Sequence, residues 1–184
     1  MTTAIFGGSF NPPHLAHVLA VTVVRAREEV DRVLVIPTYQ HPFAKSLAPY
    51  DDRVKMCELA MGWLPGVSVS RVEEELGGES RTLRTIEHLY TKNPAEKYRL
   101  VMGADIVVES AKWYGFDKIV ALAPPIVLGR VGVSYDNAPP AILPAISSTE
   151  IRTKVGEGRF EEIAPFMPRE VLAYIKSRGL YRGA

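Results

Sequence analysis

Gly7-Gly8-Ser9-Phe10-Asn11-Pro12-Pro13-His14-Leu15-Ala16-His17 follows directly on the short apolar run Thr3-Ala4-Ile5-Phe6. That run is too short for anything but a buried strand, and the stretch after it reads as a phosphate-cradling turn leading into a helix. The paired glycines permit backbone angles that other residues avoid, and the prolines suit a first helical turn. The helix is expected to begin near His14, with Leu15, Val18, Leu19, Thr22 and Ala26 recurring at helical spacing as its buried face. His14 and His17 fall off that face. They sit in the first turn, where unpaired backbone N–H groups and the positive end of the helix dipole attract anions. Gly7, Gly8, Ser9, Phe10 and the two imidazoles thus form a candidate site for phosphate oxygens.

The chemistry of that site is narrowed by what is missing. No G-x-x-x-x-G-K-[ST] occurs, which excludes a P-loop NTPase, and no G-x-G-x-x-G occurs, so the dinucleotide-binding fingerprint is absent. A lone H-x-x-H also reads as two ordinary helix-start histidines or as a two-ligand metal pair. The preceding strand and Gly7-Gly8 turn argue against both, and no third His or Cys lies nearby to complete a metal site.

A second helix start lies almost at the other end of the chain, at Ile146-Ser147-Ser148-Thr149-Glu150-Ile151-Arg152. Ser147 or Ser148 can cap it, leaving hydroxyls for backbone N–H groups or an anion, and Arg152 projects from its first turn. Taken alone this would be an N-cap box followed by a solvent-facing arginine. Between the two motifs, Tyr98 to Met102 reads as a buried strand, and Gly103 allows a tight turn at its carboxyl end, where ligands bind in open α/β sheets.

Together these stretches resemble the nucleotidyltransferase superfamily, with its G-x-F-[ND]-P-x-H-x-x-H and I-S-S-T-x-[IV]-R elements. Met102-Gly103-Ala104-Asp105, Lys112-Trp113-Tyr114 and the ending through Gly158-Arg159-Phe160, Pro168, Val171, Tyr174-Ile175 and Gly179-Leu180-Tyr181 extend the resemblance over nearly the full length. Within the superfamily the chain looks like the bacterial nicotinate mononucleotide adenylyltransferases. That resemblance implies that Ile146, Ser147, Ser148 and Arg152 hold the ATP phosphates with His14 and His17. It implies that the Gly103-x-Asp105 turn binds the adenosine side and that Trp113 lies against the pyridine ring, although core packing is the commoner fate of a tryptophan.

The chain departs from the family pattern in three places. A short P-P-H-[KR] run is replaced by His41-Pro42-Phe43-Ala44-Lys45, which aligns Lys45 with the basic residue that reaches the phosphates. The usual S-Y-T-x-D-T is replaced by Ser80-Arg81-Thr82-Leu83-Arg84-Thr85, which keeps Thr82 but turns an aromatic and an acid into arginine. Ala16 stands where a glycine usually precedes the second histidine. Thr82, Trp113 and Arg81 are the expected acceptor-side residues, and Arg81 or Arg84 would favour a carboxylate-bearing acceptor if it points into the pocket.

Composition agrees with a compact cytoplasmic enzyme. A chain of 184 residues with 47% hydrophobic residues forms one α/β domain, expected over 1–184 with a C-terminal helical part from about 147. A net charge of +1, with basic residues interspersed, predicts neither nucleic-acid nor membrane binding. The single Cys57 cannot form an internal disulfide and reads as a buried helix residue, and no targeting segment or bilayer-length run occurs. The oligomeric state stays open, a homo-oligomer included. Short β-rich runs alternate with helical patterns, which marks a doubly wound, mostly parallel, Rossmann-like sheet. Strands are expected at 3–7, 32–36, 67–70, 97–102, 125–129 and 141–143, and helices at 14–29, 51–62, 82–92, 105–111, 115–122, 148–156 and 168–177. The stretches 37–49 and 130–140 read as loops on the substrate side.

The reaction the resemblance implies is attack by a mononucleotide phosphate on the α-phosphorus of ATP, releasing pyrophosphate. A phosphate monoester with a second pKa of about 6 is mostly dianionic at neutral pH and needs no protein nucleophile. The protein has to align two polyanions and neutralise spreading charge. His14, His17, Lys45 and Arg152 are the expected catalytic groups, His17 on the α-phosphate and His14 and Arg152 on the β/γ side. Mg²⁺ is expected to ride on the triphosphate. Nicotinate mononucleotide is the favoured acceptor, with nicotinamide mononucleotide and phosphopantetheine as alternatives. A nucleotide-binding sensor that lost efficient chemistry is the reading from a different class, and an electrostatic nucleic-acid binder is disfavoured by the charge pattern.

Overall fold

In a computed structural model, which describes residues 1–41, 47–110 and 113–182, a parallel six-stranded sheet organises the chain. The strands are β1 (Thr2–Gly8), β2 (Arg32–Pro37), β3 (Val67–Val69), β4 (Lys97–Gly103), β5 (Pro125–Arg130) and β6 (Ala141–Leu143), in the order β3-β2-β1-β4-β5-β6. Every pairing is parallel, Ile5 facing Leu34 on one side and Leu100 on the other. The chain runs outward from β1 in one direction and then returns to build outward from β4. The switch point therefore lies between the carboxyl ends of β1 and β4, where such sheets bind ligands.

Alternation along the strands divides the core into two layers. Ala4, Phe6, Val33, Val35 and Val101 face one cluster, which receives helices α1 (Leu15–Arg27), α2 (Tyr50–Met61), α7 (Ser148–Gly156), α8 (Phe160–Ile163) and α9 (Arg169–Arg178). Ile5, Ile36, Leu100 and Met102 face the other, against α3 (Val72–Leu76), α4 (Thr82–Lys92) and α6 (Phe116–Leu122), with α5 (Ala104–Ser110) packed alongside. Gly129 is required by a close approach. A Cβ there would collide with the carbonyls of Pro139 and Pro140, where the chain returns to form β6. Cys57 is fully buried in α2, as expected.

The expected elements are all present, and three local readings need correction. The buried face of α1 is Ala16, Ala20, Val21 and Val24, whereas Leu15 and Leu19 are 39% and 37% exposed and Thr22 and Ala26 lie at the surface. The helix is apolar almost all round, so two faces share the helical period, and the one with small residues goes against the sheet. His17 continues that inner face rather than falling off it. Pro12 and Pro13 precede the N-cap, His14, instead of entering the first turn, and the Asn11–Pro12 peptide is cis. Gly7 and Gly8 end β1 without positive φ; the left-handed residue of the turn is Phe10, at φ 44°. The short helices α3 and α8 were not anticipated, since five and four residues carry no usable period.

Candidate active site

The turn after β1 is built around aromatic packing. Phe10, 2% exposed, meets Phe6 edge-on at 5.4 Å between ring centroids and His17 at 5.1 Å. A Cβ on Gly8 would press on the Phe10 ring at 3.2 Å, while one on Gly7 would meet nothing within 4 Å, so the strand end stays open above Gly7. The Ser9 carbonyl accepts a hydrogen bond from Arg53 Nη1 at 3.0 Å.

His14 and His17 stack, their centroids 3.9 Å apart and their planes tilted by 31°. The His14 backbone N–H donates to His17 Nδ1 at 3.1 Å. A ring nitrogen that accepts from an amide carries no proton, so the neutral His17 ring holds its proton on Nε2 and presents an N–H donor. His14 Nδ1 is buried without a hydrogen-bond partner among the described residues. Burial, with the Arg130 guanidinium adding repulsion, pushes the His14 imidazole down to about 3. Burial, then His14, then Arg130 hold His17 well below its ordinary value. Both rings are therefore neutral donors and acceptors at neutral pH.

The second motif docks onto the first. Ser148 Oγ donates to the Pro12 carbonyl at 2.9 Å, and Arg152 Nη1 donates to the Asn11 carbonyl at 2.8 Å, across 136 and 141 positions of sequence. Ser147 caps α7, its hydroxyl accepting from the Thr149 N–H at 3.2 Å. Ile146 is buried, and its carbonyl accepts from Arg130 Nη2. At the end of β4, a Cβ on Gly103 would collide with the Asp105 carboxylate, which in turn pairs with Arg130 Nη1 at 3.0 Å. Arg130 thus joins the β4 turn, the entrance to α7 and the field around both histidines. Arg130 falls in the stretch expected to be a loop but is the last residue of β5, and a base at that position, one strand from the switch point, is the signal that could have found it.

The residues expected on the acceptor side sit on the other layer. Thr82 is the first residue of α4 and Arg81 its N-cap. Arg81 pairs with Glu79 at 2.8 Å and lies 6.0 Å from the Tyr114 ring centre, which puts the start of α4 beside the 113–114 segment. Trp113 is half-buried in the second cluster, edge-on to Phe116 at 6.3 Å. Arg84 donates to the carbonyls of Gly77 and Leu76 at 2.7 and 2.8 Å, so its guanidinium closes the end of α3 and is not aimed at a ligand. Nearby, Tyr39 N–H donates to Ser80 Oγ at 2.9 Å and to Glu73 at 3.1 Å, a carboxyl raised by burial. Lys45 lies outside the described residues.

The model of the cytidylyltransferase-like family matches residues 5–154, a span that begins in β1 and ends within α7. The chain belongs to the cytidylyltransferase-like family. Its relatives include a protein of Anaeromyxobacter dehalogenans named "Probable nicotinate-nucleotide adenylyltransferase", 47% identical over 98% of this chain and 96% of that protein. A Streptococcus pneumoniae protein of the same name is 37% identical over 96% of this chain and 87% of its own length. Among solved structures, the Plasmodium falciparum nicotinic acid mononucleotide adenylyltransferase complexed with NaAD matches with a TM-score of 0.77 at 16% identity, covering 98% of this chain and 97% of that one. The parallel sheet flanked by helices is the nucleotidyltransferase fold that the resemblance implied.

Proposed function

We propose that this protein transfers the adenylyl group of ATP to nicotinate mononucleotide, giving deamido-NAD and pyrophosphate. The observation that carries the reading is the docking of Ser148 on Pro12 and Arg152 on Asn11, which gathers the two phosphate motifs at the sheet's switch point. The names of the relatives supply the acceptor. A phosphate oxygen of the mononucleotide forms a bond to the α-phosphorus as the bond to the β-bridging oxygen breaks, and pyrophosphate leaves with the electron pair. His17 donates its Nε2–H to an oxygen of the α-phosphoryl group, while His14 and Arg152 take the β and γ oxygens. Fixed N–H donors of this kind need no rearrangement at the moment of reaction.

The nucleotide substrate is read as MgATP. Among the described residues no three His, Cys, Asp or Glu side chains cluster to hold a metal, and Asp105 is already paired with Arg130. Magnesium needs few protein ligands when phosphates and water supply its oxygens, so this donor set fits an ion carried in by the substrate. Among the described residues no helix is long and apolar enough to cross a membrane.

The test is pyrophosphate release from MgATP with nicotinate mononucleotide, nicotinamide mononucleotide or phosphopantetheine, beside a His17→Ala control. The expected result is a preference for the first acceptor and a loss of about 10²–10³-fold in the variant. Turnover with another acceptor changes the substrate, and silence with all three overturns the reading.

A further inference from the structure

The C-terminal ending Gly179-Leu180-Tyr181 has no part in the chemistry above, yet it reaches the first motif. Gly179, at φ 62°, ends α9, and the Leu180 N–H closes back on the Ile175 carbonyl at 3.1 Å, which turns the chain inward. Tyr181 then places its hydroxyl 3.0 Å from Asn11 Oδ1 across 170 positions. The same Oδ1 accepts the Ala48 N–H at 3.0 Å, and the Asn11 carbonyl accepts from Arg152. A backbone N–H can only donate, so the atom facing Ala48 is the amide oxygen and Tyr181 is the donor to it. Asn11 is 3% exposed and stands between Phe10 and the proline pair that leads into His14. Both Phe10, at φ 44°, and Tyr181, at φ 64°, occupy the left-handed region that bulky side chains seldom adopt.

We propose that Tyr181 is a positioning residue of the active site: its hydroxyl, with Arg152 and the Ala48 N–H, holds Asn11 so that the turn presents His14 and His17 to the phosphates. Packing alone would be satisfied by phenylalanine, because the ring already lies against the first core layer. The hydroxyl adds the hydrogen bond to Asn11. Burial raises it above the usual phenol range, so it stays a donor across any assay pH. The kinetic consequence rests on the adenylyl-transfer reading, whereas the geometric consequence does not.

The experiment compares wild type with Tyr181→Phe by melting temperature, steady-state kinetics with MgATP and nicotinate mononucleotide, and imidazole NMR of His14 and His17. Loss of alignment for groups that act in the transition state lowers kcat by about tenfold with KM for ATP within about twofold. The His14 and His17 ring signals move, while that of His88, on α4, stays. In an Asn11→Ala background, Tyr181→Phe has no further effect on kcat, because both changes break the same contact. Unchanged kcat with unmoved imidazole signals, whatever the melting temperature, overturns the proposal. If the wild type itself releases no pyrophosphate, the adenylyl-transfer reading fails, and the ring signals still decide whether Tyr181 positions the histidines.

Discussion

Replacing His14 with asparagine should flatten the dependence of stability on pH. His14 is 3% exposed and its imidazole is lowered from 6.5 to about 3 in the folded protein. Between those values the unfolded chain binds a proton that the folded protein does not, so stability falls as pH drops through the window and is fully present above 6.5. Integrating the linkage for one such group from about pH 7.5 to about pH 5 gives a loss of about 2 kcal/mol. The lowered His17 titrates as a pair with it, so the wild type loses more than one group's share. Asparagine is neutral throughout and removes the His14 contribution along with its repulsion of His17. Urea unfolding of both proteins at the two pH values measures the difference. The acid-induced loss should be smaller by at least about 2 kcal/mol in His14→Asn, after which the carboxylates common to both proteins cancel. Equal losses in the two proteins would show that His14 is not held neutral by burial, and the assignment of the rings as uncharged donors would fall with it.

Two other outcomes follow from arginine contacts. Arg53 is 1% exposed and donates to the carbonyls of Ala48, Ser9 and Tyr39 at 2.9, 3.0 and 3.5 Å, so Arg53→Met leaves acceptors without donors. A loss of about 2–4 kcal/mol is expected in urea unfolding, and less than about 1 kcal/mol would mean those carbonyls find water. Arg84 is committed to the end of α3, whereas Arg81 makes an exposed pairing with Glu79 and lies beside the Tyr114 ring, so the two should separate in acceptor choice. Arg81→Ala lowers the ratio of kcat/KM for the acid over the amide mononucleotide, while Arg84→Ala leaves that ratio within about twofold and lowers the melting temperature. A change in the ratio with Arg84→Ala alone would reverse the assignment.

The sheet was legible because each strand is a brief apolar run bounded by glycine, proline or charge, and the two helix starts because their capping residues are local. The resemblance to the nicotinate mononucleotide adenylyltransferases, read from motifs near the two ends of the chain, agrees with relatives matched over nearly its whole length. What failed was information that three dimensions supply. Leu15 and Leu19 have the right spacing for a core face, but a helix apolar on several sides goes to the sheet by the face that permits closest approach, here Ala16 and Ala20. Arg84 looks like a candidate ligand until the end of α3, a helix too short to foresee, takes its donors. Arg130 and Tyr181 have partners far away in sequence, so their contacts with Asp105 and Asn11 cannot be read from the residues beside them.

The chain carries a net charge of only +1 although the proposed substrates are polyanions. The site reconciles the two by concentrating donors rather than charge. Arg130 is neutralised in part by Asp105, and both imidazoles are kept uncharged, so the ligand-free pocket does not hold several like charges together. What remains are N–H groups fixed by the fold: His17 with its proton set on Nε2 by the His14 amide, and the first turns of α1 and α7 brought together by Ser148 and Arg152. Such donors cost little to keep oriented in the absence of anion and gain most when negative charge develops beside them in a site shielded from water. Net charge, read from composition, reports on the surface as a whole. On the proposed reading, anion recognition depends on which few backbone and ring N–H groups the fold aims at one point, and the contacts of Asn11 with Ala48, Arg152 and Tyr181 would fix that aim.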